Sequence, residues 1–310
     1  MPSAPPAPSK PLPTDPIDTP KPTDPKEETP DKGKKVFYDI PYGEGERQKL
    51  DIFLPERLGA MRNRVPFFML IHGGSWTGGD KSDFYFFTEL LNEYGYGAVV
   101  INYRLVAPDV IYTDILDDMA SAFALLTEIG KDYMLNTDKA ALFGNSAGGH
   151  LALLYSYKIN KNSPIPIAFV VSQVGPTDFT DPDYYNNAAE EELEEKLELI
   201  SRLTGENMSA EDALKGNFPD AIKDASPITH ISTNFPPTLL AYGMADTLVP
   251  YSNGVRLLGE LRKHNASDNR SRLVLYKNSG HDLAGDEVAL AESVGALYDF
   301  SLNYLPLPRA

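Results

Sequence analysis

Cysteine is absent from the 310 residues. That removes thiol nucleophiles, disulfides and Cys-ligated zinc, and it leaves the redox compartment open. Histidine is scarce, with five in all. His150, His230 and His264 show no H-x-x-x-H spacing and no accompanying carboxylate cluster, so no metal site is read and these three are assigned structural or surface roles. Basic residues are in deficit, 28 Lys and Arg against 44 Asp and Glu, for a net charge of −16. Phosphate contacts need clustered Lys and Arg, so the balance argues against nucleic acid and anionic membrane as partners. No apolar run approaches the roughly 20 residues of a membrane span, and no secretory leader pattern is read at the N-terminus. Aromatic residues are missing before Phe37.

That early stretch is instead rich in proline: eleven of the 26 prolines lie in the first 30 residues. Residues 1–35 cannot bury enough apolar area to offset their ordering entropy, and a semi-extended linker is expected there. The remainder, 36–310, has the alternation of an α/β domain. Strands are expected from Val36 to Pro41, Lys49 to Leu54, Val65 to Ile71, Gly97 to Tyr103, Lys139 to Phe143, Ile167 to Ser172, Pro237 to Tyr242 and Arg272 to Tyr276. Several are continuous apolar runs, which marks strands buried on both faces. Helices are expected over Asp83 to Tyr94, Val110 to Ile129 (capped near Pro108-Asp109), Ala147 to Tyr157, Asn253 to Lys263 and Asp286 to Tyr304. The implied fold is a mostly parallel central sheet with helices on both faces, whose ligands bind at the carboxyl ends of the strands. Residues from about 179 to 228 lack a strand pattern and read as a small inserted cap. Their one convincing helix, Ala188 to Leu203, places Leu193, Leu197 and Ile200 at i, i+4, i+7, and its glutamate run reads as a solvated face rather than a metal site.

Chemistry concentrates where expected strands end. Gly144-Asn-Ser146-Ala-Gly148 lies between a strand and a helix, the context of the G-x-S-x-G turn that lifts a serine clear of a sheet. Asp246 follows the next-to-last strand and His281 the last. A serine hydroxyl is a weak nucleophile without a base; histidine can take its proton near neutral pH, and an aspartate can fix the imidazole tautomer. Ser146, His281 and Asp246 are therefore the catalytic candidates, with Asp178 and Asp282 as rival acids. His72-Gly73-Gly74 offers backbone N–H donors from an earlier strand end, to be paired with the N–H of Ala147 around a developing oxyanion. Ser75 departs from the usual third glycine of such a loop. His72 reads as a brace for it. Asn145 and Trp76, the only tryptophan, are the substrate-binding candidates. Trp76 is weighed equally as a pocket wall and as packing.

With these residues in place, the chain resembles the α/β-hydrolase superfamily. Within it, it is similar to the carboxylesterase group that includes acetylesterases, feruloyl and acetyl-xylan esterases and kynurenine formamidase-like enzymes. The likeness rests on His72-Gly-Gly-Ser-Trp76, Gly144-Asn-Ser-Ala-Gly-Gly-His150, Ala225-Ser-Pro-Ile228, Pro236-Pro-Thr-Leu-Leu240, Gly243-Met-Ala-Asp246, Val249-Pro250 and Gly280-His281. It implies a serine carboxylesterase working through an acyl-enzyme on a small-molecule ester, with no cofactor, and it does not fix the substrate; acetyl or feruloyl groups on polysaccharide are candidates. Short acyl chains are expected because the apolar stripe Leu193, Leu197 and Ile200 is narrow and because Trp76, if it faces the pocket, would crowd a longer chain. An arylformamidase or peptidase-like hydrolase is the alternative within the superfamily, and a non-catalytic binding protein on the same scaffold is the alternative outside it. The proline-rich tail resembles the tethers of secreted or lipid-anchored bacterial proteins. An appended expression sequence or an ordinary tail on a cytoplasmic protein is the other reading. Oligomeric state is left open.

Overall fold

The computed structural model describes residues 35–56, 64–186, 189–264 and 270–308. The expected linker thus lies outside the described residues apart from Lys35, whose carbonyl accepts from the N–H of Leu54 at 2.8 Å. Among the described residues eight strands form one sheet: β1 (Val36–Pro41), β2 (Lys49–Phe53), β3 (Phe67–Ile71), β4 (Gly97–Ile101), β5 (Ala140–Asn145), β6 (Ile167–Gln173), β7 (Thr238–Gly243) and β8 (Arg272–Tyr276). Their order is β1-β2-β4-β3-β5-β6-β7-β8. β1 and β2 pair antiparallel, as do β2 and β4; from β4 to β8 every pairing is parallel.

The apolar runs are continuous because both faces are covered. On β3, Phe67, Met69 and Ile71 join one core with Leu116, Met119 and Leu151. Phe68 and Leu70, with the opposite parity, join a second core with Leu91, Ala296 and Phe300. The first core holds α2 (Tyr112–Ile129), α3 (Ala147–Leu154) and α7 (Ser252–His264); the second holds α1 (Tyr85–Glu93) and α8 (Glu287–Tyr304). A period of two, read on both sides of one strand, places helices on both faces of the sheet.

Three local departures from expectation have physical causes. The helix expected from Asp83 begins as a 3-10 turn at Lys81–Phe84, capped by Asp80, before α1 starts at Tyr85. The helix after β4 does not begin near Asp109, because Ala107 and Val110 close a turn on each other. It begins at Tyr112, where Asp114 Oδ2 accepts the N–H of Ile111 at 2.9 Å. Beyond α3 the backbone widens into a π-turn over Tyr155–Ile159; α3 before it is buried on every side, so no amphipathic period marks the change.

Between β6 and β7 run α4 (Glu190–Thr204), α5 (Ala210–Lys215) and α6 (Asp220–Asp224). Leu193, Leu197, Ile200 and Leu203 of α4 are buried, while Glu190, Glu191, Glu192, Glu194, Glu195 and Glu198 are exposed. Each buried Leu or Ile contributes about 2 kcal/mol of transfer free energy, and this stripe is the face by which the helix docks on the body.

The chain moves from β3 outward to β4 and then returns past β3 to β5. The loops leaving β3 and β5 therefore diverge, and a crevice opens between them at the carboxyl ends of the strands.

Candidate active site

The crevice is built around Ser146. β5 ends at Asn145 and α3 begins at Ala147, so one residue must turn the chain, and Ser146 does so with φ 50° and ψ −124°. A non-glycine residue held there costs about 1–3 kcal/mol. The neighbours hold it. Ser146 N–H donates to Gln173 O at 2.8 Å, and Ser146 O accepts from His150 N–H at 3.0 Å. The two motif glycines permit the fit: a Cβ on Gly144 would lie 2.2 Å from Gly148 O, and one on Gly148 would lie 2.0 Å from Ile71 O.

The loops after β7 and β8 are joined to each other. Met244 N–H donates to Tyr276 O at 2.9 Å and Ala245 N–H to Ser279 O at 3.0 Å. This brings Asp246 beside His281. Ser146 Oγ lies 2.9 Å from His281 Nε2, and His281 Nδ1 lies 2.7 Å from Asp246 Oδ2. Nδ1 faces a carboxylate, so it carries the proton, and Nε2 is left to accept from the serine hydroxyl. Asp246 Oδ1 accepts from the N–H groups of Leu248 at 2.8 Å and Val249 at 3.0 Å. The Asp246 side chain is fully buried, whereas the His281 side chain keeps about a quarter of its surface exposed.

The rival acids are engaged elsewhere. Asp178 Oδ2 accepts from Arg256 Nε at 2.8 Å, and its Oδ1 accepts from Thr180 N–H at 2.9 Å. Asp282 sits in an exposed turn, where Oδ1 accepts from Ala284 N–H at 3.0 Å.

The loop leaving β3 abuts the serine. A Cβ on Gly73 would meet Asn145 O at 3.1 Å and Ser146 Cβ at 3.3 Å. Gly74, Ser75 and Trp76 all have positive φ (106°, 52° and 59°), and Gly74 O accepts from both Thr77 and Gly78 N–H. Ala147 opens α3, so its N–H has no acceptor within the helix. Asn145 is exposed at the end of β5, with Oδ1 facing the Gly73 position.

His72 is wholly buried and stacks on Tyr103, ring centroids 4.3 Å apart. Its Nδ1–H donates to Gly73 O at 2.7 Å, and its Nε2 accepts from Arg47 at 3.2 Å. Burial lowers its pKa below the ordinary value. Arg47 also donates to Gly79 O and Tyr103 O, both at 2.9 Å. It thereby ties both ends of the Gly73–Gly79 turn to β4's exit. No sequence signal marked Arg47, because its partners are distant along the chain and mostly carbonyls.

Trp76 departs from the pocket-wall half of its expectation. It is 2% exposed; its Nε1–H donates to His150 Nδ1 at 3.1 Å, and it packs edge-on against that ring and against Phe179. His150 Nε2–H in turn donates to Ala225 O at 2.8 Å. Three motif pieces far apart in sequence are thus one buried chain of contacts. His150 is held neutral there, its pKa lowered by burial to about 4.

A serine, an aspartate and a histidine, following one another in that order along the chain and brought together at the carboxyl edge of a mostly parallel sheet, define the α/β-hydrolase architecture. The BD-FAE family model matches residues 50–261, and the chain belongs to that family. The match includes Ser146 and Asp246 and stops short of His281. The chain is similar to the probable carboxylic ester hydrolase LipM of Mycobacterium tuberculosis, 29% identical over 73% of this chain and 51% of the relative. It spans about half the length of the curated relatives it matches. Among solved structures it is similar to a bifunctional GH43-CE protein of Bacteroides eggerthii (TM-score 0.67, 22% identity, 86% of this chain and 35% of that one). It is also similar to esterase 2 of Thermogutta terrifontis phosphorylated by paraoxon (TM-score 0.65, 17% identity, 90% and 97%). Both carry the same fold.

Proposed function

We propose that the protein is a serine carboxylesterase that cleaves short-chain acyl esters through an acyl-enzyme. One observation carries the reading: the unbroken relay from Ser146 Oγ through His281 to Asp246, with 2.9 and 2.7 Å links. In this reading Ser146 Oγ attacks the ester carbonyl while His281 Nε2 takes its proton, and Asp246 stabilises the imidazolium. The oxyanion that forms is met by the N–H of Ala147 and by N–H groups of Gly73 and Gly74, held before substrate arrives and therefore needing no reorganisation. His281 then returns the proton to the leaving alcohol. Water repeats the sequence on the acyl-enzyme and releases the acid.

The names of LipM and of the T. terrifontis structure support an ester substrate, and that of a further structural neighbour, a carbohydrate esterase from gut microbiota, supports a carbohydrate as its alcohol half. Short acyl chains are expected from the small segment between β6 and β7, whose one long helix commits its apolar stripe to docking, leaving no broad apolar underside for a lipid surface. The test is kcat/KM across p-nitrophenyl acetate, butyrate, octanoate and palmitate, beside N-formylkynurenine. Acetate should be fastest, with no jump at emulsion formation. A maximum at octanoate or beyond, or faster turnover of the formamide, would overturn the reading.

A further inference from the structure

The segment between β6 and β7 reaches the acid of the relay through one cation. Lys196 is the only lysine of α4, on a helix carrying six exposed glutamates. A lysine serving solubility would pair with one of these, and Glu192 stands one turn earlier. Yet among the described residues no ion pair to Lys196 forms, and Glu192 accepts from the N–H of Ala189 instead. Lys196 Nζ donates to Thr247 O at 3.1 Å and to Tyr184 O at 3.3 Å, and it lies 5.1 Å from the centroid of the Tyr184 ring. Thr247 is the residue after Asp246. The turn that presents the acid is therefore held from two sides. Inside it, Asp246 Oδ1 gathers the N–H groups of Leu248 and Val249; outside it, the ammonium holds the intervening carbonyl.

We propose that Lys196 is a positioning residue for the triad acid: by clamping the Thr247 carbonyl it keeps Asp246 Oδ2 aimed at His281 Nδ1, and it makes the docking of α4 a condition of full activity. This rests on the esterase reading of the relay. A charge-assisted bond to a carbonyl is stronger than a neutral one, and an aromatic face beneath the ammonium adds to it. The charged groups facing Lys196 are Glu192 from its own helix and Asp246 from the loop after β7, with the Tyr184 ring below. Burial nevertheless lowers its pKa from the ordinary 10.5. The clamp is thus weakened by alkali earlier than a free lysine would titrate.

The test compares Lys196→Met and Lys196→Arg with the parent and with Ser146→Ala, on p-nitrophenyl acetate across pH. Lys196→Met should lose about tenfold in kcat with KM within about twofold, because the aim of Asp246 matters once charge develops on His281. Lys196→Arg should recover most of that loss, and its alkaline limb should lie above that of the parent, since a guanidinium stays charged. If Lys196→Met does not fold, the arginine variant decides alone: an alkaline limb that does not move overturns the clamp. So does a Lys196→Met protein with parental kcat, or one whose loss lies wholly in KM. Ser146→Ala separates the two claims. If it turns over substrate, the reading of the relay falls; if it is inert beside a fully active Lys196→Met, only the clamp falls.

Discussion

At the scale of single residues, three carboxylates near strand ends compete for His281: Asp246, which the chain order favours, and its rivals Asp178 and Asp282. Their hydrogen bonds separate them. Asp246 faces Nδ1, Asp178 is bound to Arg256, and Asp282 caps its own turn. Asp246→Asn should therefore cost about 10⁴-fold in kcat, by favouring the wrong tautomer, as in serine proteases. Asp178→Asn and Asp282→Asn should stay within about tenfold. Steady-state kinetics on the three purified variants decide it, and a larger loss in Asp178→Asn than in Asp246→Asn would refute the assignment. His150 gives a second prediction, in stability. Its folded pKa is about 4 against 6.5 for a free imidazole, so the unfolded chain binds the extra proton between those values. The associated stability is complete above pH 6.5 and is lost as pH falls toward 4, amounting to about 3 kcal/mol at about 1.4 kcal/mol per unit. Denaturant melts from pH 7 to 4 should show that slope, and His150→Gln, which keeps a donor and an acceptor but does not titrate, should flatten it. An unchanged slope would mean other groups carry the acid sensitivity.

At the scale of elements, strands were legible because burial on both faces writes an uninterrupted apolar run. The serine turn was legible because its geometry demands glycine at fixed offsets. α5 and α6 were not, being five or six residues long and too short to display a period. Arg47 and Lys196 were illegible for a related reason: each acts on carbonyls brought near only by the finished fold. The glycine argument can be tested within one experiment. Gly148→Ala places a methyl 2.0 Å from Ile71 O and 2.6 Å from His72 O, both backbone atoms that cannot swing away. It should destabilise by roughly 3 kcal/mol or more, an overpacking cost at its upper end. Gly259→Ala, in α7 with nothing within 4 Å of the new methyl, should stabilise by up to about 1 kcal/mol. Thermal melts of both check this; equal effects would show that the turn yields more than its contacts imply.

At the scale of the whole molecule, the strand order matters most. Placing β3 between β4 and β5, with β6, β7 and β8 following in parallel, sends the loops after β3, β5, β7 and β8 to one edge. Residues 72, 146, 246 and 281 meet there although 209 positions separate the first from the last. The relay's one carboxylate is buried and fully hydrogen-bonded. What the relay should do, before any substrate is known, is make a single serine nucleophilic. Paraoxon phosphorylates such a serine and expels p-nitrophenolate. The most direct measurement is therefore to titrate the protein with paraoxon, following residual esterase activity, intact mass and the modified peptide together. The expected result is one diethylphosphoryl group per chain, on Ser146, with activity falling in step with its incorporation and no incorporation in Ser146→Ala. Stoichiometric labelling of another residue, or full esterase activity in a chain labelled at Ser146, would contradict it.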